Sequence, residues 1–221
     1  MFKLLLLVFP IFVFSTVLKV GKNEQFTTIK QAVSAAKSGD SILVHRGIYK
    51  EGNINITKSL SLIGIGLPIL DGEMKYEIIS FRANHILMKG FKIINSGEDE
   101  IANIGAVRLY DSQFSTIENN IFENNYFGIY VQRGFRCLIQ NNRIISHRAS
   151  SQEGSGDGIH AWVSEELWIK NNYIEGHKDG IYLEKVIKSY IYHNYSVKNL
   201  RYGLHFMFAD ENVYVNNTFD N

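Results

Sequence analysis

A sequence repeat of about 22 residues in the second half of the chain constrains the fold most strongly. Its clearest copies start with a glycine and a branched apolar residue at Gly128, Gly158, Gly180 and Gly203, and a weaker copy starts at Gly105. A second column with the same period carries mainly asparagine pairs: Asn119-Asn120, Asn141-Asn142, Asn171-Asn172, His193-Asn194 and Asn216-Asn217. Two columns in step over five copies predict a solenoid, in which each repeat packs only on its neighbours.

The residues within each copy favour strands over helices. Each copy holds short alternating segments, such as Gly180 to Glu184, and none has ten residues at helical spacing. We therefore expect an all-β fold, a right-handed parallel β-helix. Asparagine tolerates the left-handed backbone of a sharp turn, and amides stacked about 4.8 Å apart can hydrogen-bond from coil to coil. The asparagine column is accordingly predicted to be structural.

The first third of the chain is typical of a leader followed by a cap. Residues 1–15 combine Lys3 with an uncharged apolar run of about 11 residues, shorter than the roughly 20 that a membrane-spanning helix needs. They predict a secretory signal peptide, with the mature chain starting near Thr16. Residues 26–37 have apolar side chains at helical spacing, and Thr28 with Gln31 fits a capping box. This amphipathic helix is expected to cover the first coil, with the coils starting at Ser41.

Residues 16–221 are predicted to form one β-helix domain, interrupted by a polar loop insertion at 150–156. The sequence stops in mid-coil without a closing element, so we expect further C-terminal coils in the natural protein. Lys+Arg 23 against Asp+Glu 22 gives a net charge of +1, which provides no basic field for nucleic acid. A single cysteine, Cys137, excludes an intramolecular disulfide framework.

Alternation along the strands predicts which side chains face solvent. One outward column is expected to hold Val107, Tyr130, His160, Tyr182 and His205, and a second Leu109, Gln132, Trp162, Glu184 and Met207. His205 and Met207 offer imidazole and thioether, which suit copper, so Cu(I) is a candidate ligand. His160 is another candidate, but two coils from His205, about 9–10 Å, is too far to share one ion unless the side chains reach inward. The alternative is an aromatic surface patch with incidental histidines.

A second group lies beside the insertion. His147 and His177 are expected to stack on neighbouring coils, and Asp157 and Asp179 directly precede two of the repeat glycines. Like charges repel there unless a cation or a proton intervenes. His177 and Asp179 are therefore candidate metal ligands, and the alternative is hydrogen-bonded turn residues. Candidate partner-binding residues are Trp162, Glu184, Arg201, Tyr202, Phe206 and Phe208.

Three stretches carry a family resemblance: Gly156 to Trp162, Gly176 to Glu184, and Leu200 to Phe208. In order and spacing they resemble the NosD family of periplasmic accessory proteins of nitrous oxide reductase, without that family's C-terminal coils. The resemblance implies a non-enzymatic periplasmic β-helix that works with an ABC transporter permease and ATPase. It also implies a part in maturing the reductase's copper–sulfur cluster, by handling copper or a sulfur species, with the reductase or a copper chaperone as partner. Association with the membrane would then run through partners only.

Two other classes stay open. Many β-helices bind extended sugars, so a polysaccharide lyase, epimerase or hydrolase, or a carbohydrate-binding protein, is the main alternative. The sequence has neither three clustered aspartates with a nearby Arg or Lys, nor a Gly-His-Gly motif with paired aspartates. Asp157, Asp179, His177 and Tyr182 could still act as acid and base. A structural scaffold or adhesin is the third possibility, although it leaves the pairing of His205 with Met207 without a role.

Overall fold

A computed structural model describes residues 15–98, 104–147 and 155–220, and it shows a parallel β-solenoid of about eight coils. The predicted all-β parallel helix is confirmed. Most of the predicted signal peptide and residues 150–154 of the predicted insertion lie outside the described residues. Ser155 and Gly156, at the end of that insertion, are buried. Within the described ranges, no helix has the length and apolar character to cross a bilayer.

Each coil contributes one strand to each of three parallel sheets. Sheet 1 contains β1 (Val17–Val20), β2 (Ser41–His45), β5 (Ser61–Ile65), β8 (Leu87–Lys89), β11 (Thr116–Glu118), β14 (Leu138–Gln140), β17 (Trp168–Lys170), β20 (Tyr190–Tyr192) and β23 (Val213–Val215). Sheet 2 contains β3 (Ile48–Tyr49), β6 (Ile69–Asp71), β9 (Lys92–Ile94), β12 (Ile121–Glu123), β15 (Arg143–Ile145), β18 (Tyr173–Glu175), β21 (Tyr195–Val197) and β24 (Thr218–Asp220). Sheet 3 contains β4 (Ile54–Ile56), β7 (Ile79–Phe81), β10 (Gly105–Tyr110), β13 (Phe127–Gln132), β16 (Ile159–Trp162), β19 (Asp179–Glu184) and β22 (Tyr202–Met207).

The core is a set of vertical apolar columns inside the coils. In sheet 1, the middle residues of successive strands pair in register and are fully buried: Ile117, Ile139, Ile169 and Ile191. Their flanking residues are more exposed, as alternation requires. Because each inward side chain packs on the coils above and below it, burial depends on the neighbouring coils as much as on the strand itself.

The asparagine column has the predicted structural role. The first residue of each pair takes a left-handed backbone, with φ of 54° at Asn119, Asn141 and Asn171. The second residue points inward, and its amide donates to the next amide oxygen along the solenoid. The Nδ2···Oδ1 distances are 3.1 Å from Asn142 to Asn172 and 3.0 Å from Asn172 to Asn194. The ladder ties the turns between sheets 1 and 2 together, from coil to coil.

The predicted cap is also present. Helix α1 (Ile29–Ala35) starts after Thr28, whose hydroxyl accepts a hydrogen bond from the backbone N–H of Gln31. The carboxylate of Glu51 accepts the backbone N–H groups of Ile29 and Lys30, at 2.7 and 2.9 Å. Both contacts satisfy orphan donors at the helix N-terminus. The apolar face of α1 is buried against the first coil.

Two details differ from the prediction. The sheets do not begin at Ser41, because β1 precedes the helix and pairs in parallel with β2. In addition, Gly105 pairs with Phe127 rather than with Gly128. This shift of one residue reverses the faces, so Val107 and Leu109, predicted to point outward, are fully buried. Arg108 holds the outward position beside Tyr130 instead.

Candidate functional site

The outward face of sheet 3 forms a continuous column of rings. Tyr130, His160, Tyr182 and His205 occupy equivalent positions on four successive strands, as predicted. The ring of His160 stacks on that of Tyr130 at 4.5 Å and meets the ring of Tyr182 edge-on at 4.7 Å. Tyr182 in turn stacks on His205 at 4.5 Å, with an interplanar angle of 11°. The strand spacing thus fixes each imidazole against a neighbouring phenol ring.

A carboxylate orients the first of the two imidazoles. The Oδ2 atom of Asp157 lies 2.9 Å from Nδ1 of His160, and both side chains are more than nine-tenths buried. The other carboxylate oxygen of Asp157 accepts the backbone N–H of Asp179 at 3.2 Å. Asp157 therefore fixes the ring orientation of His160 and leaves its Nε2 atom for another contact. That Nε2 atom is buried and makes no hydrogen bond with the described residues.

Asp179 orients the second imidazole from the neighbouring coil. Its fully buried carboxylate lies 2.9 Å from Nδ1 of His205. Each of its two oxygens also accepts a hydrogen bond from the Arg201 guanidinium. This bidentate pairing raises the pKa of Arg201 above its usual value. The predicted repulsion between Asp157 and Asp179 is thus relieved within the protein, because each carboxylate has its own donors. His205 is left with Nε2 for a ligand and is partly exposed.

A second outward column runs beside the rings. Gln132, Trp162, Glu184 and Met207 align across four strands, as the alternation predicts. The Tyr182 hydroxyl lies 3.9 Å from the Met207 sulfur, a weak hydrogen bond. Burial, reinforced by the charge of Glu184, raises the pKa of the Tyr182 phenol, which therefore stays protonated at neutral pH.

Two depressions open on this face, and His160 lines both. One, of about 230 Å³, also involves Asp157, Lys178, Tyr182 and Arg201. The other is a groove of about 390 Å³ whose further wall residues are Arg108, Tyr130, Gln132, Trp162 and Glu184. The sequence-based prediction missed Arg108 because the weak repeat at Gly105 was aligned one residue out of register. The alternation of apolar Val107, charged Arg108 and apolar Leu109 is the signal that could have corrected the register.

His177 does not join this site. It is fully buried, whereas His147 is exposed, so the expected pair of stacked histidines on one surface does not form. Burial lowers the pKa of His177 to about 4, although the nearby carbonyls of Gly156 and Tyr126 favour the charged form. Neither ring nitrogen makes a hydrogen bond among the described residues. Asp179, another candidate ligand in this group, contacts Arg201 and His205.

The predicted partner-binding residues divide between two surfaces. Trp162, Glu184 and Arg201 lie along the outward face of sheet 3. Phe206 instead continues the inward column of Ala161 and Leu183, and it is 57% exposed because no coil is packed beyond it in the described chain. The exposed Phe208 occupies a left-handed turn position after β22, and Tyr202 is half-exposed at the start of that strand.

The geometry separates the candidate copper ligands. His160 and His205 lie on alternate strands with the Tyr182 ring between them, so one ion cannot bind both. No group of three or more His, Cys, Asp or Glu side chains converges within the described ranges. The remaining soft pair is His205 with Met207, two residues apart on the outward face of β22. Such a pair would hold Cu(I) with few protein ligands at the surface.

Two family models match the chain. Residues 22–164 match "Right handed beta helix region", and residues 146–221 match "Periplasmic copper-binding protein (NosD)". The second range contains Asp157, His160, Asp179, His205 and Met207. No curated protein sequence is significantly similar to the chain.

Solved structures with the same fold include carbohydrate-active enzymes. The catalytic domain of a GH87 α-1,3-glucanase in complex with nigerose aligns with a TM-score of 0.67 and 14% identity, over 92% of this chain and 45% of that one. A variant of that domain aligns with a TM-score of 0.65 and 15% identity, with the same coverage. The pectin methylesterase PemA from Erwinia chrysanthemi gives a TM-score of 0.48 at 13% identity, over 92% of this chain and 80% of that one. The chain spans less than half of the glucanase domain, and at identities of 14% and 15% the two glucanase alignments show the fold alone.

Proposed function

The chain belongs to the right-handed β-helix family, and from that premise we propose that it is a periplasmic copper-handling accessory protein. The match of residues 146–221 to a periplasmic copper-binding family supports this role. The observation that carries the proposal lies on β22, where Nδ1 of His205 faces the Asp179 carboxylate at 2.9 Å and the Arg201 guanidinium at 3.1 Å, so Nε2 is the nitrogen left for a ligand. Met207 follows two residues later on the same face of the strand. Copper is the cargo in this proposal, and the protein performs no chemistry on it.

Within this proposal, the specific role of the protein is maturation of the copper–sulfur cluster of nitrous oxide reductase. An ABC transporter permease and ATPase would be the membrane partner, and the reductase or a copper chaperone would exchange cargo with sheet 3. Few protein ligands suit transfer, because a receiving protein can add its own ligands before the ion leaves. Removing the protein from its host should leave the reductase without its cluster, which the visible spectrum of the purified reductase would reveal. A normal spectrum would contradict this role.

Cu(I) binding provides the direct test. In competition with a chromophoric Cu(I) chelator, the protein should bind the ion, and the double variant His205→Ala with Met207→Ala should weaken binding about tenfold or more. A matched control is His147→Ala with Met74→Ala, because both side chains are exposed and both residues lie in connections outside the strands. Equal affinities of the two double variants would remove the assignment of copper to β22.

Carbohydrate binding is a second candidate, supported by one observation. The groove of about 390 Å³ combines the faces of Trp162 and Tyr130 with the polar groups of Arg108, Gln132 and Glu184. Such mixtures of aromatic and hydrogen-bonding groups suit sugars. The chain has two tryptophans, so in a Trp168→Phe variant the fluorescence reports Trp162 alone. Saturable quenching by nigerose or by pectin fragments would favour this candidate, and an unchanged spectrum would count against it.

A further inference from the structure

The smaller cavity beside β16 and β19 has a distinct chemical character. Its volume of about 230 Å³ is below the roughly 300–1,000 Å³ of pockets for drug-sized ligands. Lys178, Arg201, Tyr182 and His160 contribute to its wall. A ligand of this site would therefore be small, or would insert one end only.

His160, which lines this cavity and the neighbouring groove, has a side-chain nitrogen that lacks a partner in the described part of the chain. Its side chain is 9% exposed, and Asp157 engages its Nδ1 atom. Its Nε2 atom makes no hydrogen bond with the described residues. Leaving a buried polar atom unpaired costs free energy, so the site is improved by any ligand that makes this hydrogen bond. Asp157 holds the ring in place beforehand, which reduces the entropy lost on binding.

The charges around the cavity favour an anion over a metal ion. The carboxylate of Asp157 accepts from His160 and from the Asp179 N–H, and the Asp179 carboxylate accepts from Arg201 and His205. The ammonium group of Lys178 has no ion pair with a carboxylate of the described residues, although its backbone N–H is bonded to Gly156. The ammonium group of Lys178 therefore repels a cation and attracts an anion.

We infer that this cavity binds a small anion, either a carboxylate or a tetrahedral oxyanion, between Lys178 and His160. Lys178 forms the ion pair, and Nε2 of His160 makes the hydrogen bond, as donor when the ring is protonated and as acceptor from a ligand hydroxyl otherwise. The site uses neither His205 nor Met207, so it stands independently of copper binding on β22.

Sodium sulfate and sodium acetate, titrated at constant ionic strength, probe the two anion types. The imidazole ¹H–¹⁵N signals of His160 should shift saturably with at least one of them. Lys178→Met should weaken binding about tenfold or more, and Lys178→Arg should retain most of it. Lys19→Met, which removes the same charge from β1, is the matched control.

Three outcomes would overturn the inference. They are no saturable shift with either anion, equal affinities of Lys178→Met and Lys19→Met, and a His160 signal that responds to Cu(I) or Zn²⁺ but to neither anion. Loss of Cu(I) binding in the His205 and Met207 double variant would leave the inference unaffected, so the two proposals fail separately.

Discussion

Inward-facing apolar side chains are buried in the first coil but exposed in the last described coil. At the first coil, α1 covers the inward columns, and Ile29 and Ala32 are fully buried. At the last described coil, Phe206 is 57% and Phe219 41% exposed, although both lie in inward columns. Leu183, one coil before Phe206 in the same column, is fully buried. An inward position is therefore buried by what packs on its coil, and the strand alone cannot bury it.

The difference predicts a gradient of stability along the chain. Coils near α1 have neighbours on both sides, while β22, β23 and β24 have packing on one side in the described structure. In a solenoid each lost neighbour removes one interface. In a variant that stops at Asn221, the last coil should open first, and the covered end should open only with the whole domain.

The largest expected contrast comes from truncating one apolar side chain at each end. Ile29→Ala should lower the free energy of unfolding by about 2–5 kcal/mol, because it leaves a cavity under α1. Phe206→Ala should change it by about 1 kcal/mol or less, since most of that ring already contacts solvent. Urea denaturation followed by circular dichroism measures both. Equal losses would show that the last coil is packed as tightly as the first.

The pKa of His177 indicates whether the coils next to the last described coil exclude water from their interior. Its pKa is lowered to about 4 in the folded protein by burial, from about 6.5 in the unfolded chain. The unfolded state therefore binds the proton more tightly, and stability should fall as pH decreases from about 6.5 to about 4. The loss should be on the order of 3 kcal/mol across that window.

NMR titration of the His177 imidazole and denaturation at several pH values test this expectation. His177→Gln should flatten the pH dependence in this window, whereas His147→Gln should leave it unchanged because that side chain is exposed. Titration of His177 near pH 6.5 in the folded protein would mean that the coils around β18 and β19 admit water, and the gradient would then begin further from the open end.

The repeat made the fold predictable, but the prediction was less accurate before Gly128, where the repeat is weak or absent. The asparagine and glycine columns indicate coil length, turn positions and the face of each strand from Tyr130 to Met207. The weak copy at Gly105 was aligned by its glycine alone, although the alternation of Val107, Arg108 and Leu109 favours an outward Arg108, so this residue was missed. β1 was missed because four residues carry too little pattern to distinguish a strand from a linker.

Removing one amide from the asparagine ladder has the next largest expected effect, a loss of about 1–3 kcal/mol in the free energy of unfolding at a central coil. Asn172 is buried, donates to Ile139 O and Asn194 Oδ1 at 3.0 Å, and accepts from Asn142. Asn172→Ala would leave several buried groups unpaired and should cost about 1–3 kcal/mol. Asn217→Ala at the open end should cost less, since Asn217 is only partly buried and bonds to one neighbouring coil. A larger loss from Asn217→Ala would contradict the gradient.

The candidate site was less predictable than the fold, for a physical reason. Repeat spacing places His160, Tyr182 and His205 in one column, but it cannot indicate how a side chain turns at the edge of a strand. Asp157 reaches along its own coil to His160, whereas Asp179 reaches across to His205 on the next. These contacts depend on side-chain torsions and on Arg201. Sequence proximity groups His177 with Asp179, but it cannot indicate that the Asp179 carboxylate contacts His205 and Arg201.

The smallest expected effect concerns the start of α1. Thr28→Ala removes the hydroxyl that caps the helix and should lower stability by about 1 kcal/mol. Thr27→Ala makes the same substitution one residue earlier, at an exposed side chain, and should stay within about 0.5 kcal/mol of the parent. Hydrogen exchange of the β1 and β2 amides should accelerate in the first variant only.

Combining Thr28→Ala with Phe206→Ala tests whether the two ends are coupled. Residues at opposite ends of the solenoid share no contacts, so their effects on the free energy of unfolding should add within about 0.5 kcal/mol. The double variant should also exchange faster at both ends while the amides of β11 to β15 keep their protection. Faster exchange throughout the middle coils would mean that the solenoid opens as one unit, in which case the exposed last coil and the covered first coil would be equally stable.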